Sequence, residues 1–177
     1  MKGSEFFKQI SGKQPFSKMH PKIASFFKDY LSNEKVIQFN DFFVLNTHFP
    51  PYPSPSFDNM VEHFNQIGEV GTRKLFSVTL GITNRCSYNC WHCYNAGRSQ
   101  NDISLTRLKE LSAELQKMDV VHITLTGGEP LLRCELEEIA ASFNKKTNLT
   151  LNTTGFGLTA KRARSLKESG IFAIGVS

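Results

Sequence analysis

The sequence predicts an α/β fold built on a parallel sheet, and three observations predict it. From residue 72 onward, short apolar runs of strand character alternate with amphipathic stretches of helical character. The helical stretches begin on residues suited to a first turn or a cap: Ser104, Pro130 and Thr159. The loops that follow the first three strands carry most of the reactive or unusual residues: Cys86-Ser87-Tyr88-Asn89-Cys90-Trp91-His92-Cys93, Gly127-Gly128-Glu129-Pro130 and Thr153-Thr154-Gly155. Right-handed crossovers bring the carboxyl ends of successive parallel strands to one rim, where such sheets bind ligands. The alternation alone therefore places all three loops in one composite site.

The chain of 177 residues suits one domain with an appendage, or two small ones. Residues 1–71 form the expected N-terminal extension, and residues 72–177 the main domain. The first 70 residues hold eleven of the fifteen phenylalanines and six of the seven prolines. Phe6-Phe7, Phe26-Phe27 and Phe42-Phe43 read as short apolar contacts rather than long amphipathic helices. Lys22 to Leu31 is expected to be a short helix, Val36 to Thr47 a strand pair, and Asp58 to Ile67 another short helix. Phe49-Pro50-Pro51-Tyr52-Pro53-Ser54-Pro55 reads as a stiff extended connector, because each proline fixes φ and removes a donor. The extension suits either a partner-binding arm or one packed on the main domain.

In the second part, Lys74 to Thr83 reads as a buried strand through Leu75, Phe76, Val78, Leu80 and Ile82. Ser104 caps a helix with Leu105, Leu108, Leu111, Leu115 and Met118 on one face. Val120 to Thr126 is the second strand, ended by the glycine pair. Pro130 begins the second helix, with Leu136, Ile139, Ala140 and Phe143 inward and Glu135, Glu137 and Glu138 near its positive end. Leu149 to Thr153 is the third strand. Thr159 caps the third helix, with Ala160, Ala163 and Leu166 inward and Gly170 as its stop. Ile171 to Val176 opens a fourth strand.

The net charge of +5 comes from scattered residues that form no basic run, which disfavours nucleic-acid binding. The first ten residues carry no apolar core of a signal peptide, and no stretch of about 18 apolar residues exists to span a membrane. The expected location is the cytoplasm, where clustered cysteines bind metal more often than they pair as disulfides.

Three thiols in eight positions can converge on one inorganic centre. A cubane iron–sulfur cluster has four irons and takes thiolate ligands. Cys86, Cys90 and Cys93 would leave one iron free to bind a small molecule. A structural zinc site is the rival reading, but it prefers four tetrahedral ligands, and the nearby fourth candidate, His92, adjoins Cys93. A closed cluster would need Cys134, which reads as a packing residue at the start of the second helix. Glycines at Gly127 and Gly128 allow close approach of a ligand to the backbone, and Glu129 offers an acceptor for a ligand ammonium group. Trp91 reads as cover for the centre or as packing. His20, His48, His63 and His122 have no evident ligand partner.

The pattern CxxxCxxC at Cys86, Cys90 and Cys93 resembles that of the radical S-adenosylmethionine (SAM) enzymes. Gly127-Gly128-Glu129-Pro130 resembles that family's second motif. Thr153-Thr154-Gly155 is similar to its Thr-Asn-Gly turn, with Thr154 in place of asparagine. The motif style is nearest the branch that matures cofactors and peptides. The resemblance implies a partial (β/α) barrel of which this chain holds the first three to four of six βα units. It implies that Cys86, Cys90 and Cys93 ligate three irons of a [4Fe-4S] cluster, and that SAM chelates the fourth. It further implies an adenine contact at His92, reception of the methionine amino group at Gly127, Gly128 and Glu129, and further cofactor contacts at Thr153 and Ser177. No catalytic side chain is assignable beyond the cluster ligands. The implied reaction is reductive cleavage of SAM and hydrogen abstraction by a 5′-deoxyadenosyl radical. An electron donor such as a flavodoxin or ferredoxin is the implied partner, and the substrate, with a peptide and a cofactor precursor among the candidates, is unassigned. The chain ends in the fourth strand, so the isolated chain is expected to bind a cluster weakly and to lack full turnover. The reading from another class is a non-catalytic zinc- or cluster-stabilised binding module.

Overall fold

The computed structural model describes residues 1–70, 74–97 and 101–177. It divides into two compact units, Met1–Phe76 and Ser77–Ser177. The expected boundary between residues 71 and 72 lies outside the described residues.

In the first unit, α1 (Gly3–Ile10) and α2 (Pro21–Ser32) precede a hairpin of β1 (Ile37–Phe39) and β2 (Phe42–Val44), and α3 (Pro55–Val70) follows. The two-turn helix α1 departs from the expectation of isolated apolar contacts. It forms because Phe6 and Ile10, four residues apart, bury one face, while Glu5 accepts from the Lys2 backbone N–H at its amino end. The phenylalanines that set this region's composition make its core. Phe27 touches Phe16, Phe49 and Phe64 edge to face at 5.4 to 6.1 Å between centroids, a preferred aromatic geometry. The proline-rich connector gives way at Pro55, which occupies the first position of α3, where a missing N–H costs nothing.

The second unit is a four-stranded parallel sheet in the order β3-β4-β5-β6: Ser77–Thr83, His122–Gly127, Asn148–Thr153 and Ile171–Val176. Between the strands run α4 (Leu105–Lys117), α5 (Leu136–Ala141) and α6 (Ala160–Glu168). Ile82, Ile123, Leu125, Leu149 and Leu151 pack with Leu108, Leu136, Ile139 and Leu166 into one buried core. Each such side chain stabilises the fold by about 1.5–3 kcal/mol on burial. Ser104 and Thr159 cap their helices by accepting from the N–H of Arg107 and Arg162. Gly170 ends α6 with φ +106, a conformation an L side chain resists.

Four local expectations differ. The expected buried strand from Lys74 begins only at Ser77, and it is an edge strand with Leu75 exposed. The second helix does not run from Pro130: Pro130–Leu132 is a single 3-10 turn, and α5 starts at Leu136. The Glu129 carboxylate accepts from the Leu131 N–H and fixes that tight turn. Met118 lies past the end of α4 and Ala160 at the first turn of α6; both are exposed. Cys134 is exposed rather than packed, because its neighbour Arg133 takes the inward position between the 3-10 turn and α5.

Candidate functional site

The three loops named from sequence meet at the carboxyl ends of β3, β4 and β5. After β3 the chain enters the cysteine loop through Thr83-Asn84-Arg85. The end of β4 closes directly on this stem. Gly128 N–H donates to Thr83 O at 2.8 Å and Glu129 N–H to Arg85 O at 2.7 Å. A Cβ on Gly127 would stand 2.3 Å from Thr83 O, and one on Gly128 2.1 Å from Arg85 O. Gly127 also has φ +146. The glycine pair is therefore dictated by backbone approaching backbone. Tyr94, just past the last cysteine, donates its hydroxyl to Gly127 O at 3.2 Å and pins the far end of the loop to the same turn.

Asp102 holds the stem from the other side. Its carboxylate accepts from Asn84 N–H at 2.6 Å and from the Thr83 hydroxyl at 2.9 Å. Arg85 and Arg133 each stand 3.4 Å from it. Arg133 is 6 % exposed and also donates to Ile82 O at 3.1 Å. Burial alone pushes the Asp102 carboxyl up. The Asn84 N–H, the Thr83 hydroxyl and the two guanidinium groups outweigh it and hold the carboxyl below its ordinary value. Sequence reasoning missed Asp102, Arg133 and Tyr94. The partners named here lie 17 to 51 residues away along the chain, and no local pattern marks them.

Glu129 is fully buried, at 0 % exposure. One carboxylate oxygen accepts from Leu131 N–H at 2.9 Å and from the Thr153 hydroxyl. The other accepts from Thr154 N–H at 2.8 Å and the Thr154 hydroxyl at 2.5 Å. A carboxylate offers about four lone-pair sites, and all four are taken. Burial raises this carboxyl, but the Thr153 and Thr154 hydroxyls and the two N–H groups hold it below its ordinary value. Glu129 thus clamps the β4 turn to the β5 turn. Thr154, standing where the resembling motif has asparagine, supplies two of the four donors. Thr153 also accepts from Gly155 N–H, and Ser177 N–H donates to Thr153 O at 3.1 Å.

Cys86, Cys90 and Cys93 form no disulfide and lie in an open loop without regular secondary structure. A turn with Cys93 N–H donating to Cys90 O at 3.1 Å brings those two backbones together, and Tyr88 N–H donates to the Cys86 sulfur at 3.4 Å. Among the described residues no three histidine, cysteine or carboxylate side chains converge on one metal position. The donor set nevertheless fits an iron–sulfur cluster in kind: three soft sulfurs, no disulfide among them, on a loop fixed at both ends and open between. Ligands carried on such a loop gather when the metal arrives, so binding and local ordering are coupled. His92 and Trp91 are exposed, Trp91 at 93 %, with their rings edge to face at 5.0 Å. Trp91 is therefore no part of the buried core. Cys134 donates its thiol to Glu135 at 2.9 Å on the outer side of the stem. No helix among the described residues is long and apolar enough to cross a membrane.

A family model described as the Radical SAM superfamily matches residues 80–177. Among curated proteins, the chain is similar to a probable GTP 3′,8-cyclase of Methanocella arvoryzae, with 35 % identity over 107 residues, 59 % of this chain and 34 % of that protein. It is similar to proteins of the same name from Archaeoglobus fulgidus, at 30 % over 107 residues and 36 % of that protein, and Methanococcus aeolicus, at 32 % over 117 residues and 39 %. The chain thus spans about a third of the length of these relatives. Among solved structures, BtrN in complex with AdoMet and 2-DOIA superposes with a TM-score of 0.54 at 24 % identity, over 59 % of this chain and 46 % of that one. BtrN in an open conformation gives 0.54 at 25 %, over 59 % and 50 %. These likenesses show the fold.

Proposed function

Because the chain belongs to the radical SAM superfamily, we propose that Cys86, Cys90 and Cys93 hold a [4Fe-4S] cluster and that the rim around them receives SAM. When bound, these groups would supply reductive cleavage of the sulfonium and, from it, hydrogen abstraction from the substrate. The chain's own residues position and confine. Gly127, Gly128 and Tyr94 fix the two ends of the cysteine loop, and Asp102 with Arg133 anchors its stem. Glu129 sets the β4 and β5 turns at a fixed separation by binding Thr153 and Thr154. With its lone pairs so engaged, Glu129 shapes the pocket for the methionine amino group, and the polar backbone of the Gly127–Glu129 turn is what the ligand meets. His92 remains the candidate adenine contact, and Ser177 a candidate at the end of β6.

The observation that carries this reading is the meeting of three thiols on one loop, a glycine-dictated turn and the Thr153–Gly155 turn at one end of one parallel sheet. A low-potential electron donor such as a flavodoxin or ferredoxin is the partner the chemistry requires. The relatives' names favour a nucleotide over a peptide as substrate of the whole protein. The test is anaerobic reconstitution of the chain with iron and sulfide. A brown protein with about four irons, lost in Cys90→Ala, supports the reading. A colourless protein that binds one zinc overturns it.

A further inference from the structure

The outward face of the β1–β2 hairpin, in the first unit, is apolar at every position of both strands. Register pairs Ile37 with Val44, Gln38 with Phe43 and Phe39 with Phe42. Side chains alternate along a strand, so Ile37, Phe39, Phe42 and Val44 share one face and Gln38 and Phe43 the other. Phe43 turns to the core, where its ring centroid lies 5.3 Å from that of Phe6. On the opposite face Ile37 is 65 %, Phe39 63 % and Phe42 42 % exposed. The solvated face of an antiparallel sheet is ordinarily the polar one. Here the residues turned to water are apolar, and contiguous patches of that kind mark binding surfaces.

The same hairpin has an open edge. Phe43 N–H donates to Tyr52 O at 2.6 Å and Tyr52 N–H to Phe43 O at 2.9 Å, so the Phe43 backbone groups point away from β1. Gln38, directly opposite, therefore points its own N–H and C=O away from β2. Two residues earlier on that outer edge, Val36 N–H donates to Met1 O at 3.1 Å and the Met1 nitrogen donates to Val36 O at 2.9 Å. Lys2 stands opposite Lys35 there in antiparallel sense. The Gln38 backbone pair is the next step of this ladder, and no strand or bridge among the described residues takes it. By the same alternation Lys35 lies on the face of Ile37, with Lys2 beside it. Both lysines are exposed, and neither forms an ion pair among the described residues. Asp41 is exposed at the turn, the other end of the hairpin.

We propose that this edge docks the C-terminal tail of a separate polypeptide as an added strand, antiparallel to β1, with apolar side chains at its last and third-last positions. Backbone bonds to Gln38 N–H and C=O set the register, as Met1 already does at Val36. Met1 holds the following step, so the added strand must stop opposite Ile37. Its terminal carboxylate then falls at the end of the hairpin that carries Lys2 and Lys35, and away from Asp41. Its two apolar side chains pack beside Ile37 and Phe39, with Phe42 behind them. The three exposed side chains offer on the order of 300 Å² of apolar surface, from about 150–250 Å² for a whole aromatic side chain. Folded partners in a stable complex each cover about 800 Å². The patch is thus too small for a second folded copy of this chain and suits a single strand. Every residue involved belongs to the first unit, so the proposal stands apart from the radical SAM reading.

The test titrates the full 177-residue chain with the synthetic peptide acetyl-Lys-Thr-Thr-Val-Thr-Val, its terminal carboxylate free, by calorimetry and by amide NMR. Binding is expected with a Kd below about 1 mM, and with amide shifts centred on Gln38 and Phe39. Methylating the backbone nitrogen of the penultimate threonine removes the N–H that meets Gln38 O and should weaken binding about tenfold or more. Amidating the terminal carboxylate should weaken it about threefold or more. Lys35→Glu should do the same to the carboxylate peptide and leave the amidated one unchanged. Phe39→Ser, at a solvent-facing position, should keep the thermal midpoint within about 2 °C and still weaken binding about tenfold. The two modified peptides leave the protein untouched, so the result does not depend on any variant folding. Absence of binding at 1 mM peptide, shifts away from the hairpin, or equal binding of the methylated or amidated peptide would each overturn the proposal. So would a dimer in sedimentation that Phe39→Ser dissociates, since the occupant would then be a second copy.

Discussion

Glu129→Gln tests whether this residue organises the site or touches the cofactor. The substitution keeps shape and burial and removes the charge. The new amide has one acceptor oxygen and one NH2, whereas Leu131 N–H, Thr154 N–H and two threonine hydroxyls all donate to the carboxylate. A hydroxyl can turn and accept, but a backbone N–H cannot. Leu131 N–H and Thr154 N–H sit on different oxygens, so either amide orientation leaves one of them facing an NH2. A buried donor left unpaired costs about 1–3 kcal/mol, and the remaining bonds fall from charge-assisted to neutral strength. The expected loss is about 3 kcal/mol at neutral pH, measured by urea unfolding, with amide exchange at Leu131 and Thr154 as the local reporter. The pH dependence gives a second reading. The folded carboxyl is held below its ordinary value, so its contribution is complete above that value and is lost as pH falls through the depressed one. Glutamine does not titrate there, and the gap between the two proteins should therefore close in acid. A gap under about 1 kcal/mol at neutral pH, accompanied by lost SAM affinity, would refute the clamp and make Glu129 a direct ligand.

Other outcomes follow from the same geometry. Gly128→Ala places a Cβ 2.1 Å from Arg85 O and should destabilise the second unit by about 3 kcal/mol or more in urea unfolding, because two backbones must separate. Asp102→Asn removes the charge that faces Arg133 and Arg85, and should cost about 2–3 kcal/mol. It should also lower iron retention after reconstitution, since the stem of the cysteine loop loosens; unchanged iron content would count against the anchoring role. Tyr94→Phe deletes the single bond to Gly127 O and should cost only about 1 kcal/mol, with faster iron loss to a chelator as its signature.

The alternation of apolar runs, read along the chain, was enough to obtain a parallel sheet with three loops at one rim, because each strand and helix has its own period and needs no knowledge of its neighbours. The same holds for Cys86, Cys90 and Cys93, whose chemistry is carried by residue type and short spacing. It failed where two stretches had to be seen together. Cys134 and Arg133 are adjacent, and only packing decides which points inward. The Gly127–Gly128 pair also packs against the backbone of Thr83–Arg85, a constraint that short spacing does not carry. Composition flagged the N-terminal phenylalanines, but not that Phe6 and Ile10 make a helix face.

What the sequence by itself determined is therefore the kind of fold and the loops that gather at its rim. What only the tertiary structure decided is who holds that rim in place: Asp102 on the loop stem and Glu129 between two turns. The reason is physical. These arrangements depend on strand register and on hydrogen bonds between residues 18 to 51 positions apart, and a chain's local periodicity does not carry that information.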